Sequence, residues 1–306
     1  MKVARRKLVQ QGESTLMVSL PAPWIKSNKL EKGSEVSITP LNNDLLISSK
    51  GENYKSETAL TLTGTTESSV RTIITNAYRS GYDRIKVNYS DKSQFNFLEH
   101  VVKTKLVGFE VVSREKDYCI IENITEPAEE HFDNMLNKIL YNIEEMFTVT
   151  AEILQGKEPS DNYESIEERI QKYDNFCRRI VSKQKYNNDK SEMIWAFLTM
   201  ILHAQRELYH LDNYLIKNGS GYKSSSDAKQ LLDKSKELFS LIKKSYMEKN
   251  VKYLADVHSM EKDLIYNKGY ALLQQKKGIE SIIIYHILFS IREFYQANSP
   301  LAGIIM

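Results

Sequence analysis

The sequence predicts a multidomain α+β protein: a small N-terminal β domain, a small α/β middle domain and a C-terminal half built only of helices. Three observations lead there. Proline occurs six times, at 21, 23, 40, 127, 159 and 300, so the strongest helix breaker is absent from 160 through 299. The apolar period also changes along the chain, from alternation before residue 50 to a mixture up to about 125 and a 3.6-residue period after it. Finally, 306 residues with 41% hydrophobic and 27% charged content and a net charge of +2 are globular composition, which excludes collagen-like, disordered and disulfide-framed chains. Cys119 and Cys177 are too few for a disulfide scaffold, and Met193–Leu202 and Ser281–Ile291 are about half the ~20 apolar residues that a membrane span needs. No apolar leader follows Met-Lys-Val-Ala-Arg-Arg-Lys, so a reduced, cytoplasmic protein without membrane insertion is expected.

Residues 1–50 read as strands around one short helix. Leu16, Val18 and Leu20 alternate with polar or smaller positions; Pro21-Ala-Pro-Trp-Ile-Lys-Ser-Asn-Lys-Leu gives a helical turn or two that Gly33 should end. Val36 and Ile38 alternate again, Asn42-Asn43-Asp44 supplies a turn, and Leu45–Ile47 returns. So few large apolar groups can hardly bury a core alone, so dimerisation or docking on the rest of the chain is expected. These fifty residues hold eight basic and four acidic side chains, a net of +4 that leaves −2 for the remainder. A basic arm of Arg5, Arg6 and Lys7, with Lys26 and Lys29 on the helix, is the pattern of a polyanion-binding module, although a solvated edge strand would also carry such charges.

Residues 53–125 alternate strand and helix. Thr58–Thr63 is a strand, Thr66–Ser80 a helix with Val70, Ile73, Ile74 and Ala77 on one face, and Arg84–Tyr89 a second strand. Ser93–Val107 is a helix carrying Phe97, Leu98, Val101, Val102 and Leu106, and Phe109–Ser113 with Tyr118–Ile124 forms a hairpin. Gly64 stands alone after the first strand and makes no phosphate-cradling pattern.

From Pro127 onward the apolar spacing is helical. Six helices are expected: one from about 128 with an apolar face running to Ile153, one carrying Ile166 to Val181 and ended by Tyr186-Asn-Asn-Asp, then about 191–217, 227–249, 251–275 and 278–298, with Pro159 in a loop, a polar linker at 220–226 and Pro300 after the last helix. Ile201-Leu-His-Ala-Gln-Arg-Glu-Leu-Tyr209 aligns with Ile287-Leu-Phe-Ser-Ile-Arg-Glu-Phe-Tyr295, identical at five of nine positions at an offset of 86 residues. An internal repeat of this kind divides the region 128–306 into two three-helix bundles in tandem, 128–219 and 224–300.

Two resemblances follow. Gly12-x-Ser14 leading to Met17-Val-Ser-Leu-Pro21, then Leu30-Glu-Lys-Gly33-Ser-Glu-Val36-Ser-Ile38 and Asn43-Asp-Leu-Leu-Ile47, resembles the AbrB/MazE/SpoVT swapped-hairpin domain over about 45 residues. The resemblance implies two chains exchanging hairpins to form one DNA-binding barrel; Ala22 stands where that family usually has a basic residue, and Ser34 where it often has aspartate. The helical half is similar to PhoU, the phosphate-uptake regulator, whose fold is two three-helix bundles. Arg206 and Arg292 match that family's arginine, but its two acidic metal-ligand positions hold Tyr209 and Asn213 in one copy and Tyr295 and Ser299 in the other, so the metal function does not carry over. The whole arrangement resembles archaeal phosphate-uptake regulators.

His203, Glu207 and His210 share one helical face, His258 and Glu261 another, and Asp174 lies on the second helix. These are metal-ligand residue types, but without paired acidic motifs they read as boundary residues, the histidines hydrogen-bonded and Glu207 paired with a lysine. No cofactor or metal is expected, and no nucleophile motif, Walker loop or dinucleotide fingerprint points to an enzyme. The resulting expectation is a homodimeric DNA-binding regulator of phosphate uptake and phosphate homeostasis, with the operator of phosphate-uptake genes as partner and Arg5, Arg6, Lys7, Lys26 and Lys29 on the DNA. The alternative is an adapter that does not bind DNA and docks on a phosphate transporter ATPase, a sensor kinase or another signalling protein.

Overall fold

The computed structural model describes residues 5–41, 44–49, 55–125, 130–183, 190–219 and 221–306. The expected boundaries at 50, 53 and 128, the Asn42-Asn43 turn, Pro127 and the 186–189 helix end lie outside the described residues. Mixed α+β architecture with small sheets and a helical C-terminal region is observed, divided into two units, Met1–Lys55 and Ser56–Met306.

In the first unit, β1 (Val9–Gln11) pairs antiparallel with β2 (Thr15–Met17) through a turn in which Gly12 has φ +76. Helix α1 (Ala22–Ser27) follows, then β3 (Ser37–Leu41) antiparallel to β4 (Asp44–Ser48). Strand β1 was not expected, because three residues are too short to show a period. Nor does Gly33 end the helix: α1 stops at Ser27, Lys29 takes the left-handed turn at φ 53, and Gly33, at φ +89, serves a later turn. Each sheet has only two strands, and no described side chain from 5 to 49 is buried.

The second unit begins with a four-stranded sheet of β5 (Glu57–Thr61), β6 (Arg84–Asn88), β7 (Phe109–Arg114) and β8 (Tyr118–Asn123), in the order β5-β6-β8-β7. β5 and β6 run parallel around α2 (Glu67–Arg79), and the other pairings are antiparallel. Thr66 caps α2, and Asp91 caps α3 (Lys92–Lys105) through the amides of Ser93 and Gln94. Ile85, Val87, Cys119 and Ile121 of the sheet share one core with Val70, Ile74, Phe95, Leu98 and Val101 of the helices. Gly64 belongs to the α2 cap: a Cβ there would lie 2.1 Å from Ser69 Oγ.

Then come α4 (His131–Leu154), α5 (Tyr163–Ser182), α6 (Ser191–Asn218), α7 (Ser226–Glu248), α8 (Lys252–Lys262), α9 (Tyr270–Gln275), α10 (Ile279–Gln296) and α11 (Asn298–Ile305). The expected single helix at 251–275 is interrupted by a π-helical stretch, Asp263–Gly269, where a Cβ on Gly269 would meet Leu288 Cδ2 at 2.4 Å. Pro300 does not follow the last helix but sits in the first turn of α11, where the missing amide costs no helical bond. A single apolar core runs through these helices from Phe132 to Leu301. Phe147 of α4 lies 5.9 Å from both Phe239 of α7 and Phe294 of α10, so the two repeat halves share that core.

Buried charges fasten α2 and the following turn to α5. Arg179 of α5 donates to the carbonyls of Tyr78 and Tyr82 and pairs with Asp83 at 2.5 Å, and Lys183 reaches the same carboxylate at 2.6 Å. Arg79 pairs with Asp174 at 3.0 Å and donates to Asn175, whose amide donates to the carbonyl of Lys105 at the end of α3.

Candidate nucleic-acid interface

Arg5, Arg6 and Lys7 occupy one extended, exposed stretch leading into β1, with an Arg6 guanidinium nitrogen donating to the Arg5 carbonyl at 3.2 Å. Lys26 and Lys29 share the end of α1, also exposed. That end is fixed locally: Asn28 donates to the Trp24 carbonyl at 2.8 Å and accepts from Ser49, just past β4, at 2.7 Å. None of the five cations has an ion-pair partner among the described residues, so their charge faces solvent. The same unit exposes apolar strand residues, with Leu16 at 60%, Ile38 at 58% and Leu45 at 64%.

The histidine and acidic residues of the helical half are used inside it. Glu207 pairs with His286 at 2.8 Å rather than with a lysine, and His203 lies 3.9 Å from Glu293. His258 shares a hydrogen bond with the Tyr295 hydroxyl at 2.9 Å, Glu261 pairs with Arg292 at 2.8 Å, and Asp174 is held by Arg79 and Arg178. Burial raises the pKa of Glu293, with the charge of His203 opposing and that of Glu207 adding, while burial lowers His210. Sequence reading missed His286 and Glu293; they stand seven apart on one face of α10, which was the available signal. Among the described residues no three His, Cys, Asp or Glu side chains are placed to hold a metal ion.

No described helix is long and apolar enough to cross a membrane. Comparison with protein-family models, with curated proteins and with solved structures finds no match.

Proposed function

We propose that the chain is a DNA-binding regulator of phosphate uptake that acts as a dimer through its N-terminal unit, with the tandem helical bundles as sensor or relay. One observation supports this most: the unit combines five exposed cations without carboxylate partners among the described residues with strand residues too apolar to remain in water. Isolated two-stranded hairpins are marginal at best, so the unit calls for a second copy that covers Leu16, Ile38 and Leu45. Pairing two copies brings two basic arms together about a two-fold axis, which matches a pseudo-palindromic duplex site. The phosphate assignment rests on the likeness of the helical half to PhoU, carried by Arg206, Arg292 and the repeat around them.

The test is a gel-shift or anisotropy titration against the DNA upstream of the chain's own gene and of phosphate-transporter genes. Arg5→Ala with Arg6→Ala should weaken binding about tenfold or more near physiological salt and flatten the salt slope by about two contacts per protomer. Unchanged affinity and slope, or no affinity at low salt, would overturn the reading in favour of the adapter.

A further inference from the structure

A cavity of about 480 Å³ opens between the α/β segment and the helices. It is lined by Glu67 and Arg71 of α2, His100 and Lys105 of α3, the first turns of α5, and Arg206, Tyr209 and His210 of α6. The buried ion pairs of Arg79, Arg179 and Lys183 with Asp174 and Asp83 fasten α2 and its following turn to α5, two of the elements that line it. Its size falls in the range of small-molecule sites, and its lining is charged where packing alone would make it apolar.

The lining has uncommitted donors. Three of its carboxylates already have side-chain partners: Glu67 has Arg71 at 3.3 Å, Glu168 has Lys105 at 3.3 Å, and buried Glu167 accepts from Gln171 and Gln205 and lies 3.6 Å from Arg206 Nε. Among the described residues Arg71 donates to Glu67 through one terminal nitrogen, and Arg206 approaches Glu167 at 3.6 Å through Nε, so two guanidinium forks keep donors for another molecule. Tyr209 and His210 add neutral polar groups, since burial moves the hydroxyl's pKa up and the imidazole's down.

The internal repeat makes this informative. Arg292 is the repeat mate of Arg206, but it is consumed inside the fold, paired with buried Glu261 at 2.8 Å and donating to Tyr266 at 3.3 Å; Tyr295, the mate of Tyr209, is engaged by His258. In the first copy the arginine and tyrosine line one cavity together, whereas in the second Tyr295 lines a different cavity without Arg292. We propose that this cavity binds a small metabolite bearing a phosphate or carboxylate group, gripped by Arg71 and Arg206. Glu164, exposed on the rim without a side-chain partner among the described residues, takes an amino or hydroxyl group of the same molecule.

Calorimetric titration and melting of the full chain with inorganic phosphate, AMP and glutamate test the site and separate phosphate from carboxylate chemistry. Saturable binding of at least one probe is expected, weakened about tenfold or more by Arg206→Met and by Arg71→Met, because each removes a charge-assisted hydrogen bond. Arg292→Met should leave binding unchanged. Should Arg206→Met lower the melting temperature without ligand, Arg206→Lys carries the test: it keeps the charge, loses the fork and should bind more weakly than the parent. No saturable response to any probe at millimolar concentration, or binding that survives both arginine substitutions, would overturn the site. The cavity lies wholly within Ser56–Met306, so either result leaves the DNA test on Arg5 and Arg6 untouched.

Discussion

Asp212 is fully buried on α6 among the helices' apolar side chains; among the described residues its one hydrogen-bond partner is the Thr150 hydroxyl at 2.9 Å, and its Oδ1 is unpartnered. Burial pushes its carboxyl well above the ordinary range, and the Thr150 bond only partly opposes this, so folding favours the protonated form. Its folded pKa exceeds its unfolded one. Stability from this residue is therefore complete below the ordinary carboxylate range and declines as pH rises from that range toward the raised value, because the unfolded chain ionises first. Asp212→Asn mimics the neutral acid and cannot ionise in either state. It should raise unfolding free energy by about 1–3 kcal/mol at neutral pH and by almost nothing below about pH 4, measured by urea denaturation at both. A gain of the same size at both pH values would contradict the raised pKa.

Among the elements, the joint between α2 and α5 decides how the α/β segment is held. Asp83 follows α2 in a turn and faces Arg179 and Lys183; burial alone would raise its pKa, but bonds from Lys183 and the Ser56 amide and the charges of Lys183 and Arg179 outweigh it and hold it below the ordinary range. The sign is the reverse of Asp212: this stabilisation is present above the ordinary carboxylate range and is lost as pH falls through the depressed value. Asp83→Asn leaves Arg179 buried without its counter-charge and should cost about 3–5 kcal/mol at neutral pH, with the penalty shrinking in acid, as urea melts would report. Helix positions were legible in the sequence because their apolar faces repeat; α2, α4 and α10 begin within three residues of their expected places. The joint was not, since Arg179 and Asp83 lie 96 residues apart and polar residues carry no period. Helix α11 stayed hidden for another reason: Pro300 reads as a terminator, although a proline in a first turn opens a helix equally well.

Considered as a whole molecule, the chain separates a unit with no buried side chain among its described residues from one that is thoroughly cored. The basic arm was legible as a charge count, whereas the polar cavity was not, because its walls come from four distant segments; of its lining, Arg206 and Tyr209 stood out through the repeat and His210 through its helical face. Were the N-terminal unit to remain alone in water, the exposed apolar strand residues Leu16, Ile38 and Leu45 would oppose its folding. The proposed dimerisation would remove that cost, so on that reading association and folding of these residues should be one event. Ile38→Asp and Leu45→Asp, each placing a charge where a second copy is expected to pack, should convert the full chain from dimer to monomer in sedimentation or light scattering. The main thermal transition, which belongs to the cores of Ser56–Met306, should stay within a few degrees of the parent. DNA affinity should fall with the dimer, because halving the phosphate contacts lowers both affinity and salt slope. A parent chain that is monomeric at micromolar concentration, or variants that remain dimeric, would place the association surface elsewhere and leave the basic arms to act singly.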